Sequence, residues 1–492
     1  MECMMYLKTW SICLLFISGI ASLPADEAKK SETPASPPSE LSCARVFGDD
    51  AIFQQGIPIP VWGRAVPGAT ITATFSGQSK TVKADASGDW EVRFDALEAD
   101  RLESIDEDPE GRDLSVSSEL NGKQETLSYD GILIGEVWLC SGQSNMQGRV
   151  RNNRANQNPD DDLMKSNLPA IRVVEADKGW LKAVPASVGE FTRVGFTFAR
   201  EIQRELKVPV GLLSASVGGT SIETWIRLQP EGLVESPKAK PRNYGGNFEK
   251  YIDPLTGYGM SGCLWYQGEG NASEGYSYFQ KMEALITDWR AQWQLGDFPF
   301  YYVQLAGIGQ PASEDPAMGD GRAAIREAQR QVMGKVGNTG MATAIEIGGP
   351  KEHPPNKTEI GMRLAAWSLH EVYGKKDVVP SGPLYRGFEI EGDKIRISFE
   401  HGEGLMLAEK QDYIAPKKVK DGDIPWLSIQ AKDGTWHWAD GEIDGADLIV
   451  SSAGVSEPVA VRYAYTNRPA GLYLYNGAEL PASPFTTEEF GP

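Results

Sequence analysis

Histidine is scarce in this chain: four residues, at positions 353, 370, 401 and 437. Any proton transfer through an imidazole therefore has four possible seats. Positive charge is also in deficit, because 48 Lys and Arg face 68 Asp and Glu for a net charge of −20. That balance leaves no broad basic face and excludes a nucleic-acid partner, although a local pocket can oppose the global charge. Cysteine is sparse too. Cys3 and Cys13 lie in the apolar N-terminal stretch, which leaves Cys43, Cys140 and Cys263, an odd number with no metal-ligand spacing. Cys140 and Cys263 sit in apolar strand-like runs and read as small buried hydrophobes; one bridge stays possible in an exported protein. Past the N-terminus no apolar run is long enough to cross a bilayer. No repeat of fixed short period occurs.

What is present divides the chain into zones. Lys8 precedes an apolar stretch from Trp10 to Ala21 with small residues at its end. This predicts an export signal over 1–22, hence a secreted or periplasmic protein. A linker rich in Ser, Pro, Ala and charge is expected over 23–43. From 44 to 128, short alternating runs such as Thr70–Phe75 and Trp90–Phe94, separated by Gly-containing turns, predict a β-sandwich domain. From 129 to 380, strand-like runs recur at Ile132–Cys140, Val208–Ser216, Ser261–Tyr266, Phe298–Leu305 and Met341–Ile347. Helical patterns around Phe196–Leu206, Phe279–Trp289 and Ile360–Val372 alternate with them. Such alternation predicts an α/β domain with a parallel sheet and helices on both faces. From 381 to 492 alternation returns, at Lys394–Phe399, Asp447–Ser452 and Val459–Tyr463, and predicts a C-terminal β domain.

In a parallel α/β sheet, ligands bind beyond the carboxyl ends of the strands. The first strand runs into Ser141-Gly-Gln-Ser144, which presents one serine on a small-residue turn. Such a serine is either a helix cap or a nucleophile beside backbone donors. The Gly-x-Ser-x-Gly elbow is absent, since Met146 stands at its second glycine. The later strand ends bring Gly218-Gly219, then Gln267-Gly-Glu-Gly-Asn271, then Gly348-Gly-Pro-Lys-Glu-His353. A hydroxyl, close-approach glycines, amides and an imidazole are the parts acyl transfer needs. A serine hydroxyl needs a base to take its proton. Of the four histidines, His353 alone lies at a strand end of the parallel sheet. A backbone N–H of Gly218 or Gly219 and the Asn271 amide are candidate oxyanion donors. Gln143, Gln267 and Glu269 are candidate substrate contacts, and the last two could equally brace their loop. The Asn-Ala-Ser sequon at Asn271 is discounted, since a glycan there would block the site.

Taken together, these blocks resemble the sialate O-acetylesterase family of the SGNH hydrolase superfamily. The resemblance lies in Gly135–Met146, in Gly218-Gly-Thr with Ile222-Glu-Thr-Trp225, and in Trp265–Ala272. It continues in Arg326-Glu-Ala-Gln329, His353-Pro, Asn356-Lys357 and Gly361-Met-Arg-Leu364. It reaches from Gln54-Gln-Gly to Pro481–Phe485, nearly the whole mature chain. It implies a flavodoxin-like three-layer catalytic domain flanked by β domains. It also implies hydrolysis of O-acetyl esters on sugars without metal or cofactor, with Ser144 as nucleophile, His353 as base, and an oxyanion hole of the Ser144 N–H, a glycine of the second block and a side chain of the third. Departures concern Val217, where an aromatic residue is common, and Gly270, where Ser or Ala is common. The third triad member is open between Glu352, Glu346 and no carboxylate at all. The expected partner is an O-acetylated carbohydrate. An acetylated plant or algal polysaccharide is the alternative substrate, and a non-catalytic carbohydrate-binding protein the alternative function.

Overall fold

The computed structural model describes residues 40–152, 162–175, 178–312, 314–319, 321–420 and 422–491. The expected signal and most of the expected linker lie outside them. The protein is mixed α/β, with one large mixed sheet and several antiparallel sheets.

Six parallel strands build the centre: β1 (Lys123–Gly142), β2 (Leu168–Glu175), β3 (Val210–Ser216), β4 (Gly262–Tyr266), β5 (Phe300–Gln304) and β6 (Thr339–Thr343). Their spatial order is β2-β3-β1-β4-β5-β6. The order reverses at β1, so its carboxyl end opens into the crevice where such sheets hold ligands. Register fixes the level of the neighbouring loops. Gly142 on β1 is paired with Ser216 on β3 and with Tyr266 on β4.

The short α1 (Ser144–Gln147) follows β1; the longer helices are α2 (Arg193–Leu206), α3 (Tyr276–Trp293), α4 (Gly321–Lys335) and α5 (Lys357–Glu371). Ring contacts show which face each covers. Trp138 on β1 meets Phe198 of α2 and Tyr301 of β5, and Tyr301 meets Trp367 of α5. Phe300, the residue before Tyr301 on β5, points the other way and meets Trp289 of α3. Tyr302, on that same side, donates its hydroxyl to Gln329 O of α4 at 2.7 Å. Both faces are thus buried, and the strands are apolar without alternation.

The sequence missed β2 and α4, for a shared reason. β2 carries Pro169 and a wholly buried Arg172, whose guanidinium donates to the carbonyls of Pro169, Asp50 and Gly131. α4 buries Arg326, Glu327 and Gln329. A polar residue satisfied by backbone carbonyls can lie in a core, yet it erases the hydrophobic period that marks the element.

β1 is 20 residues long and passes unbroken through position 128, where the sequence places a domain boundary. Its first half pairs antiparallel with the strand Arg112–Leu120 and its second half joins the parallel sheet. One apolar core accordingly runs from Leu41 to Leu384. A second core, from Ile395 to Phe485, lies within the C-terminal antiparallel sheets. Cys43, Cys140 and Cys263 are all free thiols. No helix among the described residues is long and apolar enough to cross a membrane.

Candidate functional site

The turn after β1 depends on Gly142, which has φ +130°. A Cβ there would sit 2.2 Å from Tyr266 O. The close approach lets Gln143 N donate to Tyr266 O at 3.0 Å and Val217 N to Gly142 O at 3.1 Å. These two bonds tie the loops after β1, β3 and β4 together. Ser144 is the first residue of α1 and half-buried; the cap position belongs to Gln143, whose side chain makes no capping bond. Helix capping therefore does not account for Ser144.

His353 reaches this serine from the loop between β6 and α5, with Nε2 3.0 Å from Ser144 Oγ. The loop ends in a reciprocal cap: Asn356 Oδ1 accepts from Glu359 N at 3.2 Å, and Asn356 Nδ2 donates to Glu359 Oε1 at 2.8 Å. That cap fixes where α5 begins. Neither expected carboxylate meets the ring. Glu352 is an exposed residue whose carboxylate lies 3.5 Å from Arg322 Nη2. Glu346 is held by Arg363. Among the described residues no carboxylate bonds His353, so the geometry is that of a pair, not a triad.

Beneath the pair lies a buried polar tie that the sequence did not single out. Asn145, one residue after Ser144 and 1% exposed, donates from Nδ2 to Glu269 Oε1 and to Glu352 O, the latter at 3.2 Å. Its Oδ1 accepts from Lys357 Nζ at 2.6 Å. One amide thus clamps the serine turn to the loop after β4, to the histidine loop and to the start of α5. Burial pushes Lys357 down to about 7, against the attraction of Glu269. Burial likewise raises the Glu269 carboxyl, with Asn145 and Lys357 opposing. Lys357 Nζ also sits over the Tyr266 ring, 5.5 Å from its centroid.

The remaining candidates divide in two. Asn271 is 1% exposed and donates from Nδ2 to Glu223 Oε2 at 3.0 Å and to Glu274 Oε2 at 2.9 Å. Its Oδ1 accepts from Ile222 N and from Gln267 Nε2, both at 2.9 Å. Gln267 is wholly buried, and its Oε1 accepts from the Tyr278 hydroxyl. Lys281 Nζ closes the cluster at 2.8 Å from both Glu223 and Glu274. With both Nδ2 hydrogens used, Asn271 braces its loop and has none to offer an oxyanion. Gln267 likewise braces the loop and contacts no open surface.

Gly218 N donates to Gln147 Oε1 at 3.0 Å. The N–H groups of Ser144 and Gly219 find no acceptor among the described residues. Gln143 Oε1 accepts from Gly270 N at 3.1 Å, which anchors this side chain beside the serine. Gly270 is itself required: a Cβ there would lie 2.6 Å from Thr220 O, so the Ser or Ala common in the resembled family has no room here.

Comparison with known proteins follows the same lines. Residues 134–369 match the family described as carbohydrate esterase, sialic acid-specific acetylesterase. Human sialate O-acetylesterase is 27% identical, with 86% of this chain and 88% of the human protein aligned. The mouse protein of that name is also 27% identical, over 87% of this chain and 90% of its own. The crystal structure of a carbohydrate acetylesterase from Xanthomonas citri is 31% identical. It covers 91% of this chain and 99% of its own, with a TM-score of 0.78.

Proposed function

The chain belongs to the sialate O-acetylesterase family of carbohydrate esterases, and from that premise we propose a serine mechanism in which His353 activates Ser144 against the acetyl carbonyl of an O-acetylated sugar. Its activity is that of a carboxylic-ester hydrolase. The observation that carries the mechanism is the 3.0 Å approach of His353 Nε2 to Ser144 Oγ. Nε2 takes the hydroxyl proton as Oγ adds to the carbonyl carbon. The same imidazolium then gives that proton to the leaving sugar oxygen. Water activated by His353 next hydrolyses the acetyl-enzyme and releases acetate. The Ser144 and Gly219 N–H groups, having no acceptor among the described residues, are the donors we assign to the tetrahedral oxyanion. Each such donor is typically worth ~10²–10³ in rate.

A pair without a carboxylate can still move the proton, because the imidazole itself is the base. Asn145 supplies the positioning by holding the Glu352 backbone carbonyl, which is adjacent to His353. The flavodoxin-like three-layer SGNH arrangement and export to the periplasm or exterior belong to this proposal. Two helix-covered faces and a site at the reversal of strand order support the first, and the apolar N-terminal stretch supports the second. The test is labelling by a fluorophosphonate probe. Wild-type protein should be labelled and Ser144→Ala should not; labelling of the variant, or its retention of p-nitrophenyl acetate hydrolysis, would refute the assignment.

A further inference from the structure

Three hollows lie in sequence on one side of the serine. The first, about 180 Å³, is lined by Gln147, Arg149, Glu175, Ser214, Val217 and Tyr251 among others. It begins beside the nucleophile, since a Cβ on Gly218 would touch both Gln147 Oε1 at 3.1 Å and Ser144 Cβ at 3.4 Å. Glu175 and Tyr251 also line a second hollow of about 460 Å³, whose far wall is Arg45, Val46 and Trp62. Ala44, Arg45 and Trp62 in turn line a third, of about 610 Å³, on the N-terminal strands with Trp90. Shared walls make these one track, running from the carboxyl edge of the sheet onto the N-terminal β region.

We propose that this track binds an extended, uncharged glycan chain, so that the acetyl ester cleaved at Ser144 is carried on a chain of several sugars. The inference rests on the esterase reading and deepens it. Tyr251 and Trp62 are half-buried, which gives each an apolar body in the wall and an accessible surface, the arrangement that suits the C–H face of a sugar ring. The half-buried hydroxyls of Ser214 and Ser216 offer polar partners in the first hollow. Charge argues against a polyanion. Arg149 is already paired with Glu175 and Glu190, each at 2.8 Å, and Lys178 with Glu175 at 3.1 Å. Lys250 lies 5.0 Å from the Tyr251 centroid and brings a donor to the same wall. A single sugar would fill the first hollow and leave the other two without a role.

The experiment compares kcat/KM on acetylated oligosaccharides of increasing length with that on an acetylated monosaccharide and on p-nitrophenyl acetate. Wild type should gain with length. Trp62→Ala and Tyr251→Ala should each lose about fivefold to tenfold on the oligosaccharide, mainly through KM, and keep the p-nitrophenyl acetate rate. No gain with length, or unchanged oligosaccharide kinetics in both variants, would overturn the track. Trp62 packs on Phe47 at 4.7 Å, so Tyr251→Ala carries the test if the tryptophan variant unfolds. Titration of Ser144→Ala with deacetylated oligosaccharide, followed by tryptophan fluorescence, separates the two ideas. Saturable binding there with no esterase activity in wild type would sink the esterase reading and leave the track standing. No binding by this variant, with wild type active, would sink the track alone.

Discussion

Two polar clusters stand at the same sheet edge, and they differ in what they leave unsatisfied. In the cluster of Asn271, Gln267, Glu223, Glu274 and Lys281, the charges and amides are buried and matched. In the other, Ser144 and an exposed His353 face each other, and the N–H groups of Ser144 and Gly219 have no acceptor among the described residues. Residue types alone do not separate them, since both offer amides and ionisable groups at strand ends. Completed hydrogen bonding does. A satisfied buried network fixes loop geometry, whereas reacting groups must keep capacity for atoms that are not yet there. The first cluster builds the wall; the second is the one to which we assign the reaction.

The largest expected effect tests the open cluster. Ser144→Ala should reduce kcat by at least ~10⁴-fold and leave the melting temperature within a few degrees of wild type. Equal losses of activity and stability would erase the distinction. The mirror test is Asn271→Ala. It strips a donor from two buried carboxylates and should destabilise by about 3 kcal/mol, read by urea unfolding, while the fraction that stays folded keeps kcat within about tenfold. A fall of ~10²–10³ in kcat at unchanged stability would instead make Asn271 an oxyanion donor.

The matched cluster also has a pH signature. Burial works to raise Glu223, but the bonds from Lys281 and Asn271 outweigh it and hold the carboxyl below the usual glutamate value. Burial also works against the Lys281 charge, and the hydrogen bonds to Glu223, Glu274 and Glu235 outweigh that and raise its pKa. A depressed carboxyl contributes stability that is complete above its unfolded pKa and is lost as pH falls through the folded one. Lys281→Met should therefore cost most at neutral pH and progressively less below about pH 4, measured as the difference in unfolding free energy from wild type.

How much of this was readable in advance follows the same division. The Ser144–His353 pairing was legible because strand–helix alternation places loop ends on one edge and only one of four histidines falls there. The parallel strands whose apolar runs were continuous were legible for the same reason. β2 and α4 were not, since Arg172, Arg326 and Gln329 reach backbone carbonyls that are distant in sequence. Asn271 and Gln267 stood in the right loop, but whether an amide is spent depends on Glu223 and Tyr278, 48 and 11 residues away. Glu352 is adjacent to His353, and its carboxylate is directed instead to Arg322. The signal for Asn145 and Lys357 lay within the quoted blocks, in Ser144-Asn-Met and Asn356-Lys357, yet only the fold brings them to 2.6 Å.

Between the two clusters lies the tie through Asn145, and it sharpens the comparison because it is buried like the wall but touches the reacting loops. Asn145→Ala should lower kcat by about tenfold to a hundredfold through displacement of His353, with KM on a small ester little changed. Asn145→Asp keeps the size and the acceptor for Lys357 but loses the donor to Glu269, so it should not restore activity; full activity in either variant would reduce the tie to packing.

The smallest effect is a change of slope. Lys357 has its pKa depressed to about 7, so above that pH the folded protein has released a proton that the unfolded chain still binds up to about 10.4. The unfolded state then holds more protons, and stability rises with pH across that window on account of this group. Lys357→Met removes the contribution. The melting temperature of the variant minus that of wild type should accordingly become less positive, or more negative, from pH 7 to pH 9. A constant or growing difference would mean that the amine stays charged beneath the serine, and that Glu269 alone balances it.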